Sequence, residues 1–249
     1  MNGTEASDDG TARLAGTAAL GGYFAIPAFG ADEGEELATL LSDAGTVRTF
    51  VERTRRAIAA STDSDPSDVP QRVAASSFQL NLVARLVSPA VGAAALYGAV
   101  PVLTPTSVRW TDTAHHSPRL GTVDPGWLVA PTPALAAEVI SNSLLTNVFG
   151  PLAEILRTTA SLSAHVSRGN AISAANGAVT VMATSRPDLA TAGRALVRAL
   201  LDAGPLTGTG HFVGGQFVRR SCCLFYRAPR SGLCQDCVLD ATQLQRTRR

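Results

Sequence analysis

The chain has 249 residues, 45% of them hydrophobic and 16% charged, with a formal net charge of +1. That is enough apolar material for one large domain, or for a main domain with a small appendage. It excludes a globally disordered chain and a general nucleic-acid binder with a strongly basic face.

The first dozen residues are acidic, lack the basic start of a secretory signal, and are expected to have no order of their own. Residues 34–60 read as two helices, with Glu35, Leu37, Leu40 and Leu41 in the first and Val47, Phe50, Val51 and Ile58 in the second. Residues 61–70 read as a polar loop, with Asp68 as the cap of the next helix and Pro70 in its first turn. There Phe78, Leu82 and Leu86 recur every four residues beside Val83, which makes one apolar stripe. Pro89 is expected to end or kink that helix, and a short buried helix then runs to about Tyr97. The longest uncharged stretch, residues 86–108, is broken by Pro89, Pro101 and Pro105 and is not Leu-dense. No membrane span is expected, and the chain reads as cytoplasmic.

Thr106–Thr111 and Gly126–Ala130 carry β-formers and are expected to be the two arms of a hairpin. Helices resume at about 133–146, 151–160 and 162–183. The best-marked one spans roughly 187–203: Pro187 opens it, Leu189, Ala192, Leu196 and Leu200 line one face, and Gly204-Pro205 stops it. Gly193 inside it is tolerable if a neighbour packs close there. Glycines then crowd the chain, so its end is a different kind of structure. The expected fold is α+β, with a helix-rich body over residues 1–205, a small antiparallel sheet, a cysteine loop module over 206–240 and a basic tail over 241–249.

All four cysteines lie within that module, as Cys222-Cys223, a ten-residue gap, then Cys234-Gln235-Asp236-Cys237. In a reducing compartment such a group binds metal or does redox chemistry more readily than it forms structural disulfides. Four thiolates suit one tetrahedral zinc, or two irons of a [2Fe–2S] cluster with two thiolates each. The Cys234–Cys237 spacing lets a tight turn aim both sulfurs at one metal. The adjacent pair Cys222-Cys223 needs a sharp backbone turn, because neighbours in an extended strand point to opposite faces. Spacing alone leaves zinc and iron open.

The run Arg220-Ser221-Cys222-Cys223-Leu224-Phe225-Tyr226-Arg227, and after it Gly232-Leu233-Cys234-Gln235-Asp236-Cys237-Val238-Leu239, resembles the C-terminal signature of the FhuF-like ferric-siderophore reductases. Residues 163–173, with Gly169-Asn170-Ala171, look like the family's internal Gly-Asn segment, with Arg168 where relatives often place a tryptophan. Leu206-Thr207-Gly208-Thr209-Gly210 looks like its glycine-rich approach to the cysteines. The resemblance covers residues 71–239. It implies a [2Fe–2S] cluster held by Cys222, Cys223, Cys234 and Cys237, and one-electron reduction of a ferric siderophore, expected to be of hydroxamate type, to release Fe(II). The electron donor would be a protein such as a ferredoxin or flavoprotein, because Gly208-x-Gly210 lacks the setting of a dinucleotide site. The rival readings are a zinc-stapled binding module without turnover and a cluster-bearing carrier or redox sensor.

Residues 213–249 hold seven Arg against Asp236 and Asp240. Of these, Arg219, Arg220, Arg227 and Arg230 are close enough in sequence to the cysteines to raise a cluster's potential, or else they simply solvate the chain end. His115 and His116 with Asp112 are expected at the surface rather than on a metal, and His165 in helix packing or at the surface. His211 is a lesser candidate for bordering the cysteines. Asn170 inside a helix of small residues needs a buried partner or a pocket to line. Trp110, Trp127 and Tyr97 are expected in the core.

Overall fold

The computed structural model describes residues 3–202 and 204–239, with side chains from residue 9 onward; the basic tail over 241–249 lies outside the described residues. The fold is α+β and mostly helical. Two long helices form its axis: α4 (Gln71–Tyr97) and α7 (Ala164–Ser185), which pack against each other along their length. α1 (Gly3–Ala18), α3 (Ala44–Ser61), α6 (Gly150–Ala160) and α8 (Ala190–Asp202) surround this pair, with α2 (Leu37–Leu40) and α5 (Pro133–Ile140) as shorter pieces. The stripe Phe78, Leu82, Val83 and Leu86 is buried where α3 meets α4, and Phe50 stacks on Phe78 with ring centroids 5.7 Å apart.

Several expectations give way. Residues 3–12 are not without order: α1 begins at Gly3, and Arg13 on it lies over the Trp127 ring. The first of the two helices expected over 34–60 is a single turn, α2, because the preceding β1 (Glu35–Glu36) is drawn into a sheet. Asp68 does not cap α4. It closes a capping box with Asp65 around the short turn Pro66–Asp68, and Pro70 stands at the N-cap of α4. Pro89 neither ends nor splits α4, which runs on to Tyr97; burial on all sides from Val87 to Ala93 offsets the lost backbone hydrogen bond.

The two expected strands exist but do not form one hairpin. β3 (Val108–Thr111) lies between β1 and β4 (Arg119–Thr122) in an antiparallel sheet, with Trp110 opposite Leu120. β5 (Trp127–Val129) pairs with β2 (Ala99–Pro101), Val100 opposite Leu128. The missed strand β4 contains Gly121, where a Cβ would stand 2.0 Å from the Phe29 ring. A residue chosen for close approach hides the strand pattern.

Gly150-Pro151 does not interrupt the second half. α5 runs into a π-helical segment (Ser141–Phe149) and then α6, with Pro151 in the first turn where its missing N–H costs nothing. α8 packs on α7 at Gly193, where a Cβ would meet Val179 at 2.8 Å and Met182 at 2.9 Å. β6 (Gly210–Val213) and β7 (Gln216–Arg219) then form a hairpin closed by Gly214 and Gly215, both at positive φ. Leu206, Phe217 and Ala228 join the same hydrophobic core as the helices, so the cysteine segment is packed onto the body rather than tethered to it. The stretches Gln71–Tyr97 and Pro133–Ala160 are long and apolar enough to cross a membrane, but about half of each is buried within this core.

Candidate metal centre

Strand β7 delivers the chain to the cysteines, and its alternation sets which side chains enter the site. Phe217, Arg219 and Ser221 point inward while Arg220 points to solvent. Ser221 can sit against α7 only because residue 169 is a glycine: a Cβ there would stand 1.8 Å from the Ser221 hydroxyl. The next side chains are Cys222 and Cys223. The sharp turn that adjacent ligands require is present at Leu224, which takes a left-handed conformation with φ 70°. A non-glycine residue held there marks a segment fixed by its surroundings. The turn brings the Leu224 N–H to 3.3 Å from Cys222 Sγ.

The second pair repeats the device. Cys237 N–H donates to the Cys234 carbonyl at 3.2 Å, closing a tight turn, and Leu239 N–H approaches Cys237 Sγ at 3.4 Å. Between the pairs, Ser231 Oγ donates to the carbonyls of Phe225 and Ala228 at 2.7 Å each. The pairs meet at Cys223 and Cys234, whose sulfurs are 3.7 Å apart. Cys222 is in contact with Cys223, and Cys237 is near enough to act electrostatically on Cys222 and Cys234. All four thiols are free.

Burial and mutual contact set the thiols apart. Cys223 is held far below the usual thiol range because Cys222 and Cys234 donate to it; the Phe225 N–H and the Arg219 charge add to this against the cost of burial. Cys222 and Cys234 are pushed up, first by donating to Cys223 and then by burial. The site thus favours a thiolate at Cys223 with protonated neighbours facing it, as expected where several thiols share one place.

Beneath Cys223 lies a buried polar network. Arg219, fully buried, donates from Nη2 to Asn170 Oδ1 at 2.6 Å, from Nε to the Ser221 carbonyl at 2.7 Å and from Nη1 to Ser173 Oγ at 3.3 Å. Asn170 Nδ2 lies 2.7 Å from Gln79 Oε1 and 3.0 Å from Ser76 Oγ. Ser76 Oγ donates to the Cys223 carbonyl at 2.7 Å. Donation therefore runs in one sense, from Arg219 through Asn170 and Ser76 to the backbone of Cys223, and such chains polarise one another. Arg219 also joins the second pair, its N–H donating to the Asp236 carbonyl at 3.2 Å. No carboxylate partners the Arg219 guanidinium among the described residues.

The remaining candidates fall in different places. Arg220 and Arg227 are exposed, and Arg230 pairs at the surface with Asp63, so of the four arginines only Arg219 is buried beside the thiols. His165 Nε2 is 3.2 Å from the Arg220 carbonyl, tying α7 to the cysteine segment. His211 is exposed on β6 opposite Val218, with no contact to the cysteines among those described. His115 and His116 stay at the surface, their carbonyls taking hydrogen bonds from Arg53 and Thr54, and Asp112 pairs with Arg53. Arg168 is exposed. Trp110 is in the core, whereas Trp127 is half-buried and Tyr97 partly exposed. Ser76, Gln79 and Ser173 carry no chemical motif in the sequence; only their place on the faces of α4 and α7 that meet brings them to the network.

Two thiol pairs suit one tetrahedral ion or the two irons of a cluster. No three His, Cys, Asp or Glu side chains among the described residues gather tightly enough around one point to hold a single ion. Cys223 and Cys234 join the two pairs, and backbone N–H groups point at Cys222 and Cys237. Sulfur-directed hydrogen bonds and a buried cation are the usual surroundings of an anionic iron–sulfur group.

Residues 219–239 match the family described as FhuF 2Fe-2S C-terminal domain, a span that contains all four cysteines. No curated protein matches the chain.

Proposed function

We propose that the chain, an iron–sulfur redox protein by the match of its residues 219–239 to the FhuF 2Fe-2S C-terminal domain, is a ferric-siderophore reductase acting in the cytoplasm. Its [2Fe–2S] cluster is held by Cys222, Cys223, Cys234 and Cys237 in a module over residues 206–240, set on a body over residues 1–205. The observation that carries this reading is the meeting of the two pairs of free thiols at Cys223 and Cys234, 3.7 Å apart, inside the segment matched to that domain.

When bound, the cluster supplies a site that takes up and gives out one electron at a time. The chain does the rest. Asn170, Ser76 and Gln79 fix the backbone of Cys223 to α4 and α7. Arg219 places a positive charge beside the thiolates, favouring the form that carries the extra electron. Exposed Arg220 and Arg227 present a basic face to an acidic donor protein such as a ferredoxin or a flavoprotein. A ferric siderophore, expected to be of hydroxamate type, then receives the electron, and Fe(II) is released because hard oxygen donors hold it more weakly than Fe(III).

Anaerobically purified protein should be red-brown, with about two irons and two acid-labile sulfides per chain. Once reduced with dithionite and mixed with a ferric hydroxamate siderophore, it should release chelator-trapped Fe(II) in proportion to the absorbance that recovers. Cys234→Ser should lose this activity with the native spectrum, since an alkoxide replaces a thiolate. A fully loaded, reduced protein that liberates no Fe(II) from any siderophore would be an electron carrier or sensor instead, and a colourless zinc protein would remove the redox reading altogether.

A further inference from the structure

A cavity of about 370 Å³ lies between α7, α8, the β6–β7 hairpin and the turn from Cys234 to Cys237. Its size falls in the range of small-molecule sites, about 300–1,000 Å³. Such sites are usually apolar with a few polar groups, whereas this wall is mostly polar. Asn176, Gln216 and Gln235 bring three amides to it, and none of the three side chains has a hydrogen-bond partner among the described residues. The cavity also holds one charge of each sign: Arg194 enters from α8 and Asp236 from the cysteine turn. They do not pair with each other, and neither side chain has another hydrogen bond or ion pair among the described residues. Close by, opposite charges that can reach each other do pair, as Arg186 does with Asp188. Asp236 Oδ2 is moreover closed off from water without a hydrogen bond. A carboxylate oxygen in that state needs a donor brought to it.

We propose that this cavity binds a small zwitterion of amino-acid type, its carboxylate on Arg194 and its ammonium on Asp236. A simple anion would pair with Arg194 but bring its charge toward the Asp236 carboxylate, and a simple cation would do the reverse. A molecule with both charges pairs each group and is rejected by neither, which is selection by repulsion of the alternatives. The planar donors of Arg194 suit a carboxylate. An ammonium carries three N–H donors, one of them for the shielded Asp236 Oδ2. The amides of Asn176, Gln216 and Gln235 each donate and accept, so they serve the polar body of such a molecule. Phe212 and Phe217 give its carbon chain an apolar patch to lie on. The site is independent of the reductase reading, since none of its charged or amide side chains is a thiol or belongs to the Arg219–Asn170 network.

Titration of the iron-loaded protein with glycine, 4-aminobutanoate and 6-aminohexanoate, followed by calorimetry, varies the distance between the two charges. At least one of them should bind. The best should bind about tenfold more tightly than either the carboxylate or the amine of the same chain length, each of which leaves one charge of the cavity unpaired. Arg194 is exposed on α8, so its replacement is safe for folding. Arg194→Gln should weaken the best zwitterion by about fivefold or more, with iron content and visible spectrum unchanged. Arg194→Glu should lose the zwitterion and bind the matching amine about threefold more tightly than the wild type does, because two carboxylates then face it. Three results would each overturn the assignment: a wild type that binds none of the zwitterions at millimolar concentration, a singly charged analogue that binds as tightly as the zwitterion, or an Arg194→Gln protein that binds the zwitterion as the wild type does.

Discussion

Arg219 is a fully buried guanidinium whose side-chain acceptors are an amide, a hydroxyl and a carbonyl, all of them neutral. A buried charge needs compensation, and the anions beside it are the thiolates, with Cys223 the one its field reaches, and the Asp236 carboxylate, which acts on Cys234. A unit charge about 6 Å from a group that takes up an electron, in an effective dielectric near 20, would be worth roughly 3 kcal/mol, on the order of 100 mV for one electron. Arg219→Gln should therefore lower the midpoint potential by about that amount in a spectroelectrochemical titration. Arg219→Lys should restore most of the potential but not the thermal stability, because a lysine keeps the charge and loses the planar set of donors. An unchanged potential in Arg219→Gln would show that the charge is screened from the metal. The sequence places Arg219 among four arginines near the cysteines and does not choose between them. The choice lies in the alternation from Phe217 to Ser221, which sets Arg219 on the inward face and Arg220 outward, but a two-residue period is hard to trust in a glycine-rich stretch. Asn170 is legible as a residue in want of a partner, whereas Ser76 and Gln79, its partners, look like any polar residues of a helix.

At the level of elements, the cysteine segment is attached through the approach of β7 and Ser221 to α7. Its condition is Gly169, where a methyl group would overlap the Ser221 hydroxyl. Gly169→Ala should raise helix propensity by roughly 1 kcal/mol yet lose iron. Far-UV circular dichroism should stay at the wild-type value while iron per chain falls by half or more. Full iron retention would mean that the hydroxyl simply turns aside. The same pairing of a helix with a small residue recurs at Gly193, where the sequence alone asks for a close neighbour and Val179 and Met182 supply it. Helices are readable because their stripes are long. The strands β3 and β5 are readable as strands but not as partners: they lie in different sheets, and pairing depends on Gly121 and on Ala99–Pro101, where local preference is weak.

For the molecule as a whole, the cysteine loops are short and irregular, while Leu206, Phe217 and Ala228 belong to the common core. Chelating the iron should thus loosen residues 222–239 and leave the helical body folded. Trypsin should cut the stripped protein after Arg227 and Arg230 well before any site in α4 or α7, and the metal-loaded protein should resist at those two bonds. Early cleavage within the body would show that the metal holds the whole fold together.

One residue touches both halves of the centre. Arg219 reaches the first cysteine pair with its side chain, through the Ser221 carbonyl, and the second with its backbone N–H, through the Asp236 carbonyl. Release of either pair therefore slackens the hold on the other, and the population should divide into molecules with a complete centre and molecules with none. Half-filled protein would be scarce at every stage of a slow chelator titration. The iron-to-protein ratio then serves as a head count of competent molecules, and a preparation at half occupancy is a mixture of whole and empty chains rather than a uniform solution of damaged ones.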